Sequence, residues 1–178
     1  MRNKPMRYKK ANKFFGGISM SEVAIRCTGI AAILIKKLEK ESKVLLLKRA
    51  GTVLPDAWCY IGGSIEDGET AWEAALREIK EETGISLPYL YVSNQYDQIY
   101  SAKNNYIYMA PVFVGYVPEH QEVILNHEHS AYRWMSFAEA IETAALPGND
   151  AVLMSVERHF AKKSPPDFLR AGKLVVAR

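Results

Sequence analysis

The chain has 178 residues, 48% of them hydrophobic and 24% charged, which suits one folded core and excludes a disordered or fibrous protein. Its formal charge of +3 is uneven, because residues 1–21 hold six Lys and Arg and no acid, leaving 17 bases against 20 acids elsewhere. A slightly acidic body argues against a nucleic-acid polymer as partner, and no apolar run is long enough to span a membrane. Cys27 and Cys59 stand alone, without zinc-site or disulfide spacing, which predicts a reduced, cytoplasmic setting.

The expected organisation is a basic arm over 1–21, one domain over 22–163 and a tail over 164–178. Val23 to Ile35 reads as a strand, and Val44 to Leu47 as its hairpin partner across a charged turn. Gly51 to Asp56 is a loop, and Trp58 to Ile61 a brief strand ending at Gly62-Gly63. A helix is expected from about Glu69 to Thr83, closed by Gly84 in a left-handed turn with Ile85 packed back near Ile79. Tyr89 to Tyr100 and Tyr106 to Val117 predict a second hairpin. Tyr132 to Met135 predicts a short strand, after which Ser136 and Glu139 have the spacing of a capping box that opens a helix to about Ala145. A last helix is expected from Asn149 to Lys162, and the basic stretch after Pro165-Pro166 has no assignment. Strands on both sides of one helix, followed by two more helices, predict a mixed central sheet in an α/β/α sandwich, of α/β class.

On the predicted helix, Glu78, Glu81 and Glu82 are spaced by three and four residues and fall on one side. Three carboxylates there repel one another. The bland reading is a solvated acidic face. A hard divalent cation would offset the repulsion by accepting carboxylate oxygens, and magnesium keeps positions open for water and phosphate.

From Gly63 the chain runs through five residues to Glu69, then seven residues to Arg77-Glu78-Ile79-Lys80-Glu81-Glu82-Thr83-Gly84-Ile85. This pattern resembles the complete Nudix box, with Gly63, Glu69, Arg77, Glu78, Glu81, Glu82 and Gly84 as its fixed identities. At roughly one residue in fifteen per identity, a chance match anywhere in the chain is on the order of one in a million. The resemblance implies the Nudix α/β/α sandwich and cleavage of a pyrophosphate linkage with Mg2+, for which Mn2+ is the natural substitute. It implies metal ligation by Glu78, Glu81, Glu82 and the Gly62 carbonyl, with Arg77 and Glu69 holding the glutamates in place. Surface helix pairing, such as Glu73 with Arg77, is the alternative for the last two.

Either Glu78 or Glu128 is expected as the base that activates water. Glu128 lies in a segment, Glu128-His129, two residues, Tyr132, one residue, Trp134, that resembles Nudix enzymes acting on diadenosine tetraphosphate and on dihydroneopterin triphosphate. His127 and His129, without cysteine partners, read as polar surface residues. Trp58 and Tyr132, with Tyr60 and Trp134, are candidates to stack a flat base, against a plain core role. Lys48 and Arg49 are candidates to meet phosphate oxygens. Ile61 stands where many family members have Pro, and Trp58-x-x-x-Gly62 looks closer to the bacterial dATP and dihydroneopterin triphosphate group. The expected substrate is thus a small nucleotide or pterin phosphate, a triphosphate cleaved with release of pyrophosphate. Asymmetric cleavage of a dinucleoside polyphosphate, or a nucleotide-sensing module without turnover, are the alternatives. A homodimer is compatible with this reading, and no membrane partner is expected.

Overall fold

The computed structural model describes residues 22–172. The basic arm expected over 1–21 and the end of the expected tail lie outside them. Among the described residues a single mixed sheet of nine strands forms the middle layer. The strands are β1 (Ala24–Arg26), β2 (Gly29–Lys37), β3 (Ser42–Arg49), β4 (Trp58–Cys59), β5 (Ile61–Ser64), β6 (Tyr89–Ser101), β7 (Tyr106–Val117), β8 (His129–Ser136) and β9 (Arg170–Gly172). The helices are α1 (Ala71–Thr83), α2 (Phe137–Thr143) and α3 (Asn149–Val156).

Strand β2 explains the layering. Ile30 to Ile35 are all buried, as a strand covered on both faces requires. Ala31, Ile33 and Ile35 point to one core with Leu153, Val156 and Phe137 of the α2–α3 side. Ile30, Ala32 and Leu34 point to the other, with Ala74, Ala75 and Ile79 of α1. The two-residue period of the strand thus divides one apolar run between two cores, giving the expected α/β/α sandwich.

Hairpin partners β2 and β3 pair only at Ile35–Lys37 with Ser42–Val44 and then diverge. The gap is filled by β4, against Leu47 and Lys48, and by β5, against Gly29 to Ala32. Gly62 and Gly63 therefore lie within β5, at the open end of the sheet, rather than just past a strand. β7 carries β2 and β1 in parallel on one edge and β6 antiparallel on the other.

Three local expectations change. The run Val23 to Ile35 is two strands, because from Arg26↔Tyr108 to Ala31↔Val112 it advances five residues while β7 advances four. The extra residue is absorbed around Cys27-Thr28, a bulge that periodicity does not reveal. The last helix is α-helical only to Val156 and widens into a π turn over Glu157–Ala161. Past Pro165-Pro166, β9 pairs with Tyr89 to Tyr91, and Arg170 lies 4.2 Å from the Tyr89 ring centre. No described helix is long and apolar enough to cross a membrane.

Candidate active site

Helix α1 begins where Thr70 and Glu73 close on each other, the Thr70 amide and hydroxyl both donating to Glu73 Oε2 at 3.0 and 2.7 Å. It ends at Gly84, whose φ of 70° is the left-handed conformation that glycine tolerates. These two stops fix the rotation of the helix, so Ile79 faces the core while Glu78 and Glu82 face the end of β5.

Arg77 is the hub. Its Nε and Nη2 donate to the two oxygens of Glu69 at 2.9 and 3.0 Å, Nη1 donates to Glu78 at 2.9 Å and Glu81 at 3.0 Å, and Nη2 also reaches the Ser64 carbonyl at 2.8 Å. Bidentate pairing of a planar guanidinium with a carboxylate is the strong, directional form of this contact. Glu69 is held below the usual carboxylate range by its hydrogen bonds from Arg77 and the Glu66 amide. Arg77 uses one oxygen each of Glu78 and Glu81 and leaves the other.

Glu78 packs over a strand with no side chain beneath it. A Cβ on Gly63 would collide with the Glu78 carboxyl group, so the box glycine makes the room that the glutamate occupies. Burial pushes the Glu78 carboxyl up despite Arg77, with the charges of Glu81 and Glu128 adding to the effect.

Glu82 is the most deeply placed acid, 3% exposed. Burial first, then the charges of Glu78 and Glu128, push its carboxyl up to about 8, although Arg49 and the Gly62 amide favour the ionised form. Its Oε2 is the one buried side-chain oxygen among the described residues with no hydrogen-bond partner. His129 Nε2 lies 3.7 Å away, beyond hydrogen-bonding reach. An ionised carboxylate does not remain in such a place without compensation. Among the described residues no three ligating side chains already form a closed group. What fits a divalent cation here is an orphaned buried oxygen amid several crowded carboxylates, a hard all-oxygen donor set.

Glu128 is exposed, on a loop held to the end of β3 by the Ala50 amide, which donates to the Glu128 carbonyl at 2.8 Å. Its charge bears on both Glu78 and Glu82, which puts it on the rim of the cluster. His129 is a correction to the surface reading. It is 9% exposed because β8 begins at this residue and turns it inward, with Nδ1 3.1 Å from Asn126 Oδ1. Burial pushes its imidazole down.

The four substrate candidates do not converge. Arg49 follows a bulge at the end of β3, and its charge bears on Glu82 and His129. Tyr132 lies opposite Leu47, on the α1 face, and is 40% exposed. Lys48 lies opposite Trp58, on the α2–α3 face, and pairs with Asp56 at 2.7 Å. Trp58 packs on that second core. Trp134 is covered by Lys36 Nζ at 4.4 Å, in contact with the α1 core. Alternation along β3 decides this split. Asp97 and Asn149 carry no motif and meet only in the fold, on the α2–α3 face, where the Asn149 side chain donates to Asp97 at 3.0 Å.

The NUDIX domain model matches residues 28–155. The chain belongs to the Nudix family, and the class of protein it represents is a pyrophosphohydrolase. Its sequence is 31% identical over 140 residues to the asymmetrical bis(5'-nucleosyl)-tetraphosphatase of Sus scrofa, covering 74% of this chain and 92% of that one. It is 29% identical over 118 residues to the CTP pyrophosphohydrolase of Escherichia coli K12, covering 65% and 83%. A shorter match, 48% identical over 48 residues, takes in 27% of this chain and 28% of an ADP-ribose pyrophosphatase of Methanocaldococcus jannaschii. Among solved structures, the E. coli dihydroneopterin triphosphate pyrophosphohydrolase superimposes with a TM-score of 0.61 at 26% identity, covering 77% of this chain and 97% of that one.

Proposed function

We propose that the protein hydrolyses a pyrophosphate linkage in a nucleoside or pterin triphosphate, releasing pyrophosphate, with Mg2+ or Mn2+ as cofactor. The observation that carries this reading is Glu82, whose buried orphan oxygen stands amid the charges of Glu78 and Glu128. Glu78, Glu81 and Glu82 would hold the cation, with the Gly62 carbonyl beside them. A bound divalent cation would neutralise substrate charge and acidify a coordinated water. Arg77 holds Glu78 and Glu81 in fixed directions, while Glu69 holds Arg77. Glu128, on the rim, or Glu78 accepts the proton from the attacking water. Arg49 offers a cation to the phosphate chain.

A second reading, asymmetric cleavage of a dinucleoside tetraphosphate, is favoured by the extent of the Sus scrofa match, 92% of that relative. Turnover with Mg2+ against a panel of nucleoside triphosphates, dihydroneopterin triphosphate, dinucleoside tetraphosphates and nucleotide sugars tests both. Pyrophosphate as product supports the first, and a nucleoside triphosphate plus a monophosphate supports the second. No turnover with any member, with either metal, refutes both.

A further inference from the structure

Asn126 and His129 flank Glu128, and the proposed hydrolysis gives neither of them a part. The Glu128 backbone amide donates to Asn126 Oδ1 at 3.1 Å, and His129 Nδ1 lies 3.1 Å from the same oxygen. A backbone N–H can only donate, so the Asn126 atom facing it is the amide oxygen and not the NH2 group. That oxygen in turn can only accept. His129 Nδ1 is therefore the ring nitrogen that carries the hydrogen, and the bond made by one ring nitrogen sets the state of the other.

The consequence falls on Nε2. In a neutral imidazole with its hydrogen on Nδ1, Nε2 has a lone pair and nothing to donate. That lone pair faces Glu82 Oε2 at 3.7 Å, and the two side chains are nearly closed to water, His129 at 5% and Glu82 at 4% exposure. Two acceptors so placed cannot bond to each other. This accounts for an oxygen of Glu82 that has no hydrogen-bond partner although a histidine lies beside it.

The opposite tautomer would change the site. With the hydrogen on Nε2, a closing movement of under about 1 Å would bring the ring to an ordinary hydrogen-bond length from Oε2 and tie Glu82 to a neutral donor. The loop that holds Asn126 is anchored on both sides of it. The Ile124 amide donates to the Thr83 carbonyl at 2.8 Å, and the Ala50 amide donates to the Glu128 carbonyl at 2.8 Å. Val123 is buried in the α1 core. Asn126 is thus a fixed acceptor against which the ring is set.

We infer that Asn126 is a positioning residue that locks His129 in the form with its hydrogen on Nδ1, which keeps Glu82 Oε2 unpartnered and open to a divalent cation. His129 is then a neutral wall of the site, neither a counter-ion of Glu82 nor a donor that competes with the cation. This role rests on the reading of Glu82 as a metal ligand, but the tautomer is a property of the metal-free protein and is read without turnover.

Long-range nitrogen–proton NMR of the metal-free protein at about pH 8, above the ordinary imidazole range, distinguishes bare from protonated ring nitrogens. His129→Leu identifies the His129 signals by their loss. The wild type should show a bare Nε2 and Asn126→Ala a hydrogen on Nε2, and an Nε2–H in the wild type overturns the lock. Mn2+ affinity, read by paramagnetic resonance of the free ion, should fall about 10–100-fold in Asn126→Ala, the usual cost of losing a partner that orients a metal site. It should return to within about threefold of wild type in Asn126→Ala/His129→Leu, where no ring is left to donate. Unchanged affinity in Asn126→Ala, or a loss that the double substitution does not restore, overturns the proposal and leaves Asn126 as a support of the loop. Should the double variant fail to fold, the spectra of the wild type and Asn126→Ala still decide the tautomer. A bare Nε2 in a wild type that binds no Mn2+ would overturn the metal reading and leave the tautomer standing.

Discussion

Glu82 and Asp97 are both carboxylates withdrawn from water, on opposite faces of one sheet, and they are treated in opposite ways. Asp97 receives donors from Tyr60, Asn149 and the Gln98 backbone, so burial raises its carboxyl against three opposing hydrogen bonds. Glu82 has the Gly62 amide and the distant charge of Arg49 in its favour, two like charges against it, and one oxygen with no partner. A satisfied buried carboxylate is a rigid acceptor suited to recognition, whereas an unsatisfied one requires a cation or a proton. The contrast separates a carboxylate locked into a hydrogen-bond network from one that is left among like charges.

The largest expected effect tests that contrast at Glu82. Glu82→Gln and Glu78→Gln keep shape and remove a charge, and each should lower kcat by at least about a hundredfold, more than loss of an outer-shell contact typically costs. Circular dichroism should show an unchanged fold, and near-normal turnover in either variant would remove the metal role. Arg77→Ala, which releases Glu69, Glu78 and Glu81 at once, should cost roughly 10–100-fold with part of the loss recovered at high Mg2+. A loss indifferent to metal concentration would separate Arg77 from the ligands.

Glu128→Gln sharpens the choice of base. If Glu128 accepts the proton, kcat should fall much more than KM changes and added Mg2+ should restore little. A rate within about twofold of normal, as for a merely exposed charge, would return that role to Glu78.

A smaller effect concerns stability. The Glu82 carboxyl sits at about 8 in the fold against an ordinary 4.5, so its neutral form is the one the fold favours. Its contribution is fully present below pH 4.5 and is lost as pH rises toward 8. The metal-free protein should therefore lose Tm across this window, Glu82→Gln should flatten the decline, and Mg2+ should raise Tm more at pH 8 than at pH 6. A thermal scan across pH with and without metal gives the answer, and a decline equally steep in Glu82→Gln would assign it elsewhere. The smallest expected effect is deletion of residues 1–19, which should leave kcat within about twofold, because no motif residue lies there. A marked loss of activity would give the arm a part in the site.

What the sequence determined by itself is what local geometry can carry. The helix of the box, its stop at Gly84, the side shared by Glu78 and Glu82, the long β6–β7 hairpin and the Ser136 cap all depend on spacings of a few residues, and a helix or strand period converts such spacings directly into positions. The crowding of acids on one side of that helix was legible for the same reason. Tertiary structure alone decided whatever depends on distant segments meeting. The bulge at Cys27-Thr28 is set by register against β7, and β9 exists because β6 has an edge to receive it. His129 is buried because the loop holding Asn126 and Glu128 is tied to β3. Lys48 and Arg49 are neighbours in sequence yet serve different surroundings, one bound to Asp56 and the other near Glu82, because strand alternation and a bulge come between them. Tyr60, Asp97 and Asn149 are separated by dozens of residues with no shared period, and only the closing of the β4–β5 junction, β6 and α3 around one core brings their polar atoms within hydrogen-bonding distance.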